Sequence, residues 1–132
     1  MSMQVCIMMP DRIFWNQQAE EIILPTNTGQ MGVLKNHAPL MTALDIGVML
    51  IRTRMEWTSI ALLGGFALIK QNKVTVLVNQ AETHATIDPE QAEKTYQEAQ
   101  RQWVEAVGAK EKVEANFALK RARARLQLVK AK

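Results

Sequence analysis

The chain has 132 residues, enough for one domain or one domain with a small appendage, but too few for two independent folds. It is 48% apolar and 22% charged, with six glycines and four prolines, an ordinary globular composition that argues against disorder. The net charge is only +3, the single cysteine, Cys6, excludes an internal disulfide, and His37 and His84 lie too far apart for the usual zinc-site spacing, so neither metal nor cofactor is expected.

The N-terminus, MSMQVCIMMPDR, reads straight into a strand pattern, without a basic region, a signal core or a cleavage site. The expectation is a protein used where it is made, in a reducing cytoplasm or organelle interior. Met3, Val5, Ile7 and Met9 alternate with Gln4, Cys6 and Met8, and Pro10 with Asp11 ends this first strand in a turn. Cys6 reads as a small buried hydrophobe in that run.

Short apolar runs follow at Ala19 to Leu24, Gly32 to Leu34, Leu40 to Leu44, Gly47 to Arg54, Trp57 to Leu63, Phe66 to Lys70 and Lys73 to Asn79. Strands at this spacing predict an antiparallel sandwich or barrel. The residues Arg52 to Glu56, and the pair Gln71 and Asn72, each separate two alternating runs and read as hairpin turns. The longest apolar run, Ile60 to Ile69, contains Gly64 and Gly65 and falls far short of the about 20 residues that a membrane helix needs.

Near residue 86 the period changes from two to that of a helix, which divides the chain into 1–86 and 87–132. Asp88 is placed as an N-cap, Pro89 at the first helical position, Gln91 to close a capping box, and Ile87 to staple against Ala92. Ala92, Tyr96, Ala99, Trp103 and Ala106 recur at steps of four and three until Gly108 stops the helix. A second helix, Lys110 to Val129, is rich in Ala, Glu, Lys, Leu and Arg, and the short link predicts an antiparallel hairpin. The fold class expected is therefore α+β by order, a strand domain followed by a two-helix hairpin.

On a wheel at about 100° per residue, the second helix carries two apolar stripes. One holds Ala115, Ala118, Leu119, Ala122, Leu126 and Val129, and the other Val113, Phe117, Ala124 and Leu128. A helix packed against one neighbour needs a single stripe. Two stripes imply the sister helix on one side and something else on the other, either a partner that changes or the strand domain held permanently.

Charge is also unevenly divided. Residues 1–86 carry six basic and six acidic side chains, 87–109 two and five, and 110–132 eight and two, or about +6 in the last segment. Lys120, Arg121, Arg123, Arg125, Lys130 and Lys132 follow one another without an intervening acid. This helix wants an anionic partner: nucleic acid, acidic lipid or an acidic protein segment.

An enzyme is disfavoured, because there is no phosphate-binding glycine loop, serine elbow, paired histidines or base-activated cysteine. Asp11, Glu20, Glu21, Asp45, Glu56 and Glu82 are scattered and read as solvated. A basic module binding nucleic acid or another acidic partner is the alternative reading, weakened by a neutral strand region and only 5% aromatic residues.

From Glu21 the chain reads EIILPTNTGQMGVLKNHAP, then LLGGFALI and VTVLVNQAE, and it closes with EANFALKRARARL. Together these segments resemble the epsilon subunits of F-type ATP synthases, especially the chloroplast and cyanobacterial form, over essentially the whole chain. The resemblance implies an N-terminal antiparallel β-sandwich of about ten strands (1–86) that binds the gamma subunit and the c-ring, and a regulatory hairpin (87–132). It implies a non-catalytic central-stalk subunit, one copy per complex, that couples gamma to the c-ring and inhibits ATP hydrolysis through its C-terminal helices. Its place would be peripheral, on the stromal side of the thylakoid membrane or the cytoplasmic side of a cyanobacterial one.

By the same resemblance, Thr28, Gly29, Gln30 and Met31, with Asn36, His37 and Ala38, are candidates for contacting gamma and the c-ring. Gly29 and Gly32 would supply turn freedom, and His37 is either a pH sensor or a hydrogen-bonded structural residue. Lys120, Arg121, Arg123 and Arg125 are the candidates for meeting an acidic segment of a beta subunit. Some bacterial relatives carry an ATP-sensing Arg at the hairpin start; here the stretch is Ile87, Asp88, Pro89, Glu90, Gln91, Ala92, so Gln91 replaces it and no nucleotide is expected.

Overall fold

The computed structural model describes residues 2–130. The strands are β1 (Met3–Met9), β2 (Arg12–Ala19), β3 (Glu21–Thr26), β4 (Gly29–Leu34), β5 (Leu40–Thr53), β6 (Glu56–Lys70), β7 (Lys73–Val78) and β8 (Ala81–Glu82). A 3-10 turn (His84–Thr86) leads to α1 (Pro89–Glu105) and α2 (Ala109–Lys130). The strands pair in the order β2-β1-β7-β6-β5-β3-β4, with β8 also on β6. Although β1 and β3 are well separated along this path, they share one buried core that includes Val5, Ile7, Ile22, Leu24, Met49, Ile51, Ile60, Leu62 and Ile69. The sheet therefore folds over itself as a sandwich.

The fold-over is written in a change of side-chain phase. On β5 the buried residue is Leu44 before the corner and Met49 and Ile51 after it, so the inward set moves from even to odd positions. On β6 it moves from Ile60 and Leu62 to Ala67 and Ile69. A strand exposes alternate faces with period two, so such a flip requires an irregular residue. Asp45 on β5 and Gly64 on β6 fill that place, since the pairing resumes on either side of them, Leu44 with Gly65 and Ile46 with Leu63. Gly65 has φ of 155°, and a Cβ there would lie 2.0 Å from the Leu77 carbonyl oxygen.

Here the structure corrects the expected strand set. Leu40 to Leu44 and Gly47 to Arg54 are one 14-residue strand, and Trp57 to Leu63 and Phe66 to Lys70 one of 15 residues. Eight strands are thus formed among the described residues rather than about ten; each long strand serves both layers. The sandwich is also not purely antiparallel, because β1 runs parallel to β7 from Gln4 opposite Lys73 to Met8 opposite Leu77. Parallel neighbours need a long connection, and most of the sandwich lies between these two strands. The edge strand β2 has no counterpart among the expected runs. It is exposed along most of its length, with Asn16, Gln17 and Gln18 in its polar half.

Both expected hairpins form as two-residue turns. Arg54 and Met55 (φ 50° and 72°) lie between paired Thr53 and Glu56, and Gln71 and Asn72 (φ 51° and 59°) between paired Lys70 and Lys73. Positive φ at both central residues matches the right-handed twist of the flanking strands.

Replacing Gly65 by Ala should lower the unfolding free energy by more than about 1–3 kcal/mol, since backbone strain and a backbone clash combine. Urea unfolding followed by far-ultraviolet circular dichroism measures it. An unchanged midpoint would show that the corner tolerates a side chain.

Candidate functional site

The helical hairpin is built from strong local signals. Asp88 caps α1, its carboxylate accepting from the Glu90 amide at 3.1 Å, with Pro89 next in the chain. The expected capping box is not closed, because Gln91 donates instead to Thr95 Oγ1 at 3.4 Å, one turn on. Ile87 and Ala92 do come together, in one buried cluster. Helix α1 ends at Glu105 rather than at Gly108. The link then turns through Gly108 (φ 85°), with the Val107 amide donating to Glu111 Oε2 at 3.0 Å and the Lys112 ammonium 4.8 Å from the Trp103 ring centre. On the solvent face Arg101 bridges Glu98 and Glu105, and its hydrogen bonds hold the Glu98 carboxyl below the usual range.

Helix α2 lies between α1 and the sandwich. Leu119 and Ala122 of the first stripe pack with Ala99, Tyr96 and Trp103 of α1. Ala124 and Leu128 of the second stripe are buried with Ala61 of β6, against Ile46 and Val48 of β5. These are outward residues of the layer formed beyond the β5–β6 corner. Further toward the hairpin turn the second stripe has no cover: Val113 and Phe117 are 68% and 57% exposed. In this state the second neighbour of α2 is the sandwich, and the contact stops short of the helix's first two turns.

The basic residues of α2 separate into two sets. Lys120 Nζ reaches both carboxylate oxygens of Asp45 at 3.2 Å, and Arg125 Nε reaches Glu82 Oε2 at 2.8 Å. Lys130 lies 4.0 Å from Glu93 of α1. Arg121 and Arg123 are exposed and form no ion pair among the described residues. Lys132 lies outside the described residues. Several of the scattered acids are thus engaged rather than merely solvated: Glu20 and Glu21 meet Arg52, while Asp45 and Glu82 hold the hairpin.

The other candidate residues lie at the two ends of β4. Thr28 lies in the β3–β4 turn, where Thr26 Oγ1 donates to the Gly29 carbonyl at 2.5 Å, and Gly29 adopts φ of 120°. Gln30 is exposed, whereas Met31 lies against the main core. Gly32 sits inside β4 opposite Ile23 with no left-handed backbone, so it is not a turn glycine. At the far end of β4, Asn36 (φ 65°) donates its amide to Asn72 Oδ1 at 2.5 Å, which ties this turn to the β6–β7 turn. His37 Nδ1 lies 2.7 Å from the Ala38 carbonyl oxygen, which favours the structural role. The two segments occupy opposite ends of one strand.

One surface is absent from the expected set. Across five strands the outward residues Ala43, Phe66, Leu77, Met8 and Ile13 stand opposite one another in register, with Met41 beside Leu68 in the next row. Phe66, Leu77, Ile13, Met41 and Leu68 are each between 46% and 69% exposed. Exposed apolar residues in a contiguous row mark an interaction face. It belongs to the layer opposite the hairpin, and its signal was the run FALI, apolar on both faces of one strand.

Two family models match the chain: ATP synthase, Delta/Epsilon chain, beta-sandwich domain over residues 2–84, and ATP synthase, Delta/Epsilon chain, long alpha-helix domain over residues 86–130. The chain is 70% identical to the chloroplastic ATP synthase epsilon chain of Tupiella akineta over 129 residues, 98% of this chain and 99% of that one. It is 65% identical to the Chlorella vulgaris chloroplastic epsilon chain over 130 residues, 98% and 97% of the two lengths. In fold it resembles a chain of the Euglena gracilis mitochondrial ATP synthase OSCP/F1/c-ring structure, at TM-score 0.83, 21% identity, and 93% and 78% coverage.

Leu128, 1% exposed on the sandwich side of α2, should contribute most to docking. Leu128→Ala is expected to weaken the hairpin–sandwich contact by about 2–5 kcal/mol, raising hydrogen exchange at β5 and β6 amides beneath α2 while β1 and β7 stay protected. Equal loss of protection throughout would show that sandwich and hairpin open as one unit.

Proposed function

This chain belongs to the delta/epsilon family of ATP synthase subunits as a non-catalytic epsilon subunit, and we propose that it is an anchored brake on the rotor of the chloroplast enzyme. The sandwich is the anchor. Its open apolar face, centred on Phe66 and Leu77, fits a permanent protein partner, the gamma subunit. The exposed polar turns at Thr28 to Gln30 and Asn36 to Ala38 fit the polar loops of the c-ring. The complex then holds the subunit at the stromal surface of the thylakoid membrane; none of the chain's described helices is long and apolar enough to cross it.

The hairpin is the brake. The observation that carries this reading is the docking of α2 by one short apolar stripe and two partly exposed ion pairs, while Phe117, Val113, Arg121 and Arg123 remain open. Such a contact is reversible. Moving a population from 1:99 to 99:1 takes about 5.5 kcal/mol of differential binding. Ala124 and Leu128, with Leu126 in the same buried cluster, plus ion pairs contributing about 0–1 kcal/mol each, fall within reach of that figure. Released, α2 presents an apolar and strongly basic face to an acidic segment of a beta subunit and obstructs the rotation that drives hydrolysis. Nucleic acid is a poorer fit, because the sandwich is neutral and only 5% of the residues are aromatic.

Deleting residues 87–132 should leave a folded sandwich that still binds gamma, while ATP hydrolysis by the reconstituted enzyme rises. A truncated chain that binds gamma without raising hydrolysis would remove the brake from this account. Phe66→Glu combined with Leu77→Glu should weaken gamma binding by at least about tenfold with the sandwich still folded, measured by titration of labelled chain onto the epsilon-depleted enzyme. Undiminished affinity would place gamma on another face.

A further inference from the structure

The basic helix does not present one uniform charge to its surroundings. On α2, Ala124 and Leu128 form the line of contact with the sandwich. At about 100° per residue, Lys120 and Arg125 fall on either side of that line. Their acceptors are placed to match. Asp45 belongs to β5 and Glu82 to β8, and these strands pair with opposite sides of β6; Ala61, beneath the helix, has Val48 as one neighbour and Glu82 as the other. The helix therefore lies along β6, with one cation reaching across each flank.

Asp45 is available for this because it is the irregular residue of the β5 corner, where its carboxylate also accepts the Ile46 amide at 2.8 Å. Both pairs are partly shielded, with the four side chains between 19% and 37% exposed. Arg121 and Arg123 have no such acceptor among the described residues.

We propose that the four basic side chains do two separate jobs: Lys120 and Arg125 form a latch that holds the hairpin on Asp45 and Glu82, and Arg121 and Arg123 remain free to meet the acidic partner. This division rests on the brake reading above. In the docked state the partner sees two arginines; on release Lys120 and Arg125 become available as well, so release itself strengthens capture. Asp45 and Glu82 thereby act as regulators of inhibition, though they touch neither nucleotide nor partner. Salt weakens both the latch and the capture, so its two effects on inhibition oppose each other.

The test uses the full chain with Cys6 replaced by Ala and Ala61, buried beneath α2, replaced by Cys, so that labelling by a maleimide reports hairpin opening. Asp45→Asn with Glu82→Gln should raise the labelling rate by about 2- to 25-fold, from about 1.5- to 5-fold for each partly exposed pair. Arg121→Gln with Arg123→Gln should leave it within about twofold. In the reconstituted enzyme the first variant should be more inhibited in ATP hydrolysis and the second less.

Exchanging the charges, Asp45→Lys with Lys120→Asp, should return labelling toward the parent rate, which separates a latch from general damage to the sandwich. Labelling that stays at the parent rate in the Asp45→Asn, Glu82→Gln variant, or rises equally in the arginine variant, overturns the latch. Labelling that rises as expected while hydrolysis is unaffected upholds the latch and overturns the brake.

Discussion

The whole arrangement depends on α2 burying apolar side chains on two sides. Its alanines set how near it lies to both neighbours: Ala122 toward α1, Ala124 toward Ala61 of β6. A helix of large apolar residues would bury more area on each side and dock too firmly to be released, whereas a purely polar one would not dock. Small residues, two leucines and flanking cations give a buried contact of modest area, which the proposed brake requires to stay within a few kcal/mol of release.

The corner of the sandwich provides the other half of that balance. By inverting the side-chain phase of β5 and β6, Asp45 and Gly64 make one continuous pair of strands serve two layers with two different outer surfaces. Beyond the corner, Ile46, Val48 and Ala61 face the hairpin; before it, Met41, Phe66 and Leu68 face outward with no cover. On the proposed reading, one layer serves a permanent partner and the other a temporary one. Asp45 also receives Lys120, so the residue that allows the bend takes part in the docking.

Much of this could be read from the residues alone where the signal is local. The Asp88 cap with Pro89, the two-residue turns at Arg54–Met55 and Gln71–Asn72, and the buried phase of Met3, Val5 and Ile7 depend on neighbours within a few positions. Features that depend on distant pairing could not be read. Gly64 and Gly65 on β6, and Asp45 before Gly47 on β5, resemble turns as much as bends, so each long strand reads as two. The exposed, polar half of β2 hides an edge strand, and nothing local announces the parallel pairing of β1 with β7. The two stripes of α2 were visible on a helical wheel, but the wheel does not say where the sheet ends. For that reason it could not separate Lys120 and Arg125, which find carboxylates, from Arg121 and Arg123, which do not. The face around Phe66 on β6 and Leu77 on β7 is hidden because both sides of these strands are apolar.

The account requires that the hairpin leave the sandwich for hydrolysis to be restrained, and a covalent tie tests this most directly. With Cys6 replaced by Ala and cysteines at positions 45 and 120 joined by a short bismaleimide bridge, the reconstituted enzyme should hydrolyse ATP at the rate seen without any hairpin, while the unbridged variant remains inhibited. Full inhibition by the bridged chain would contradict a brake that acts by release.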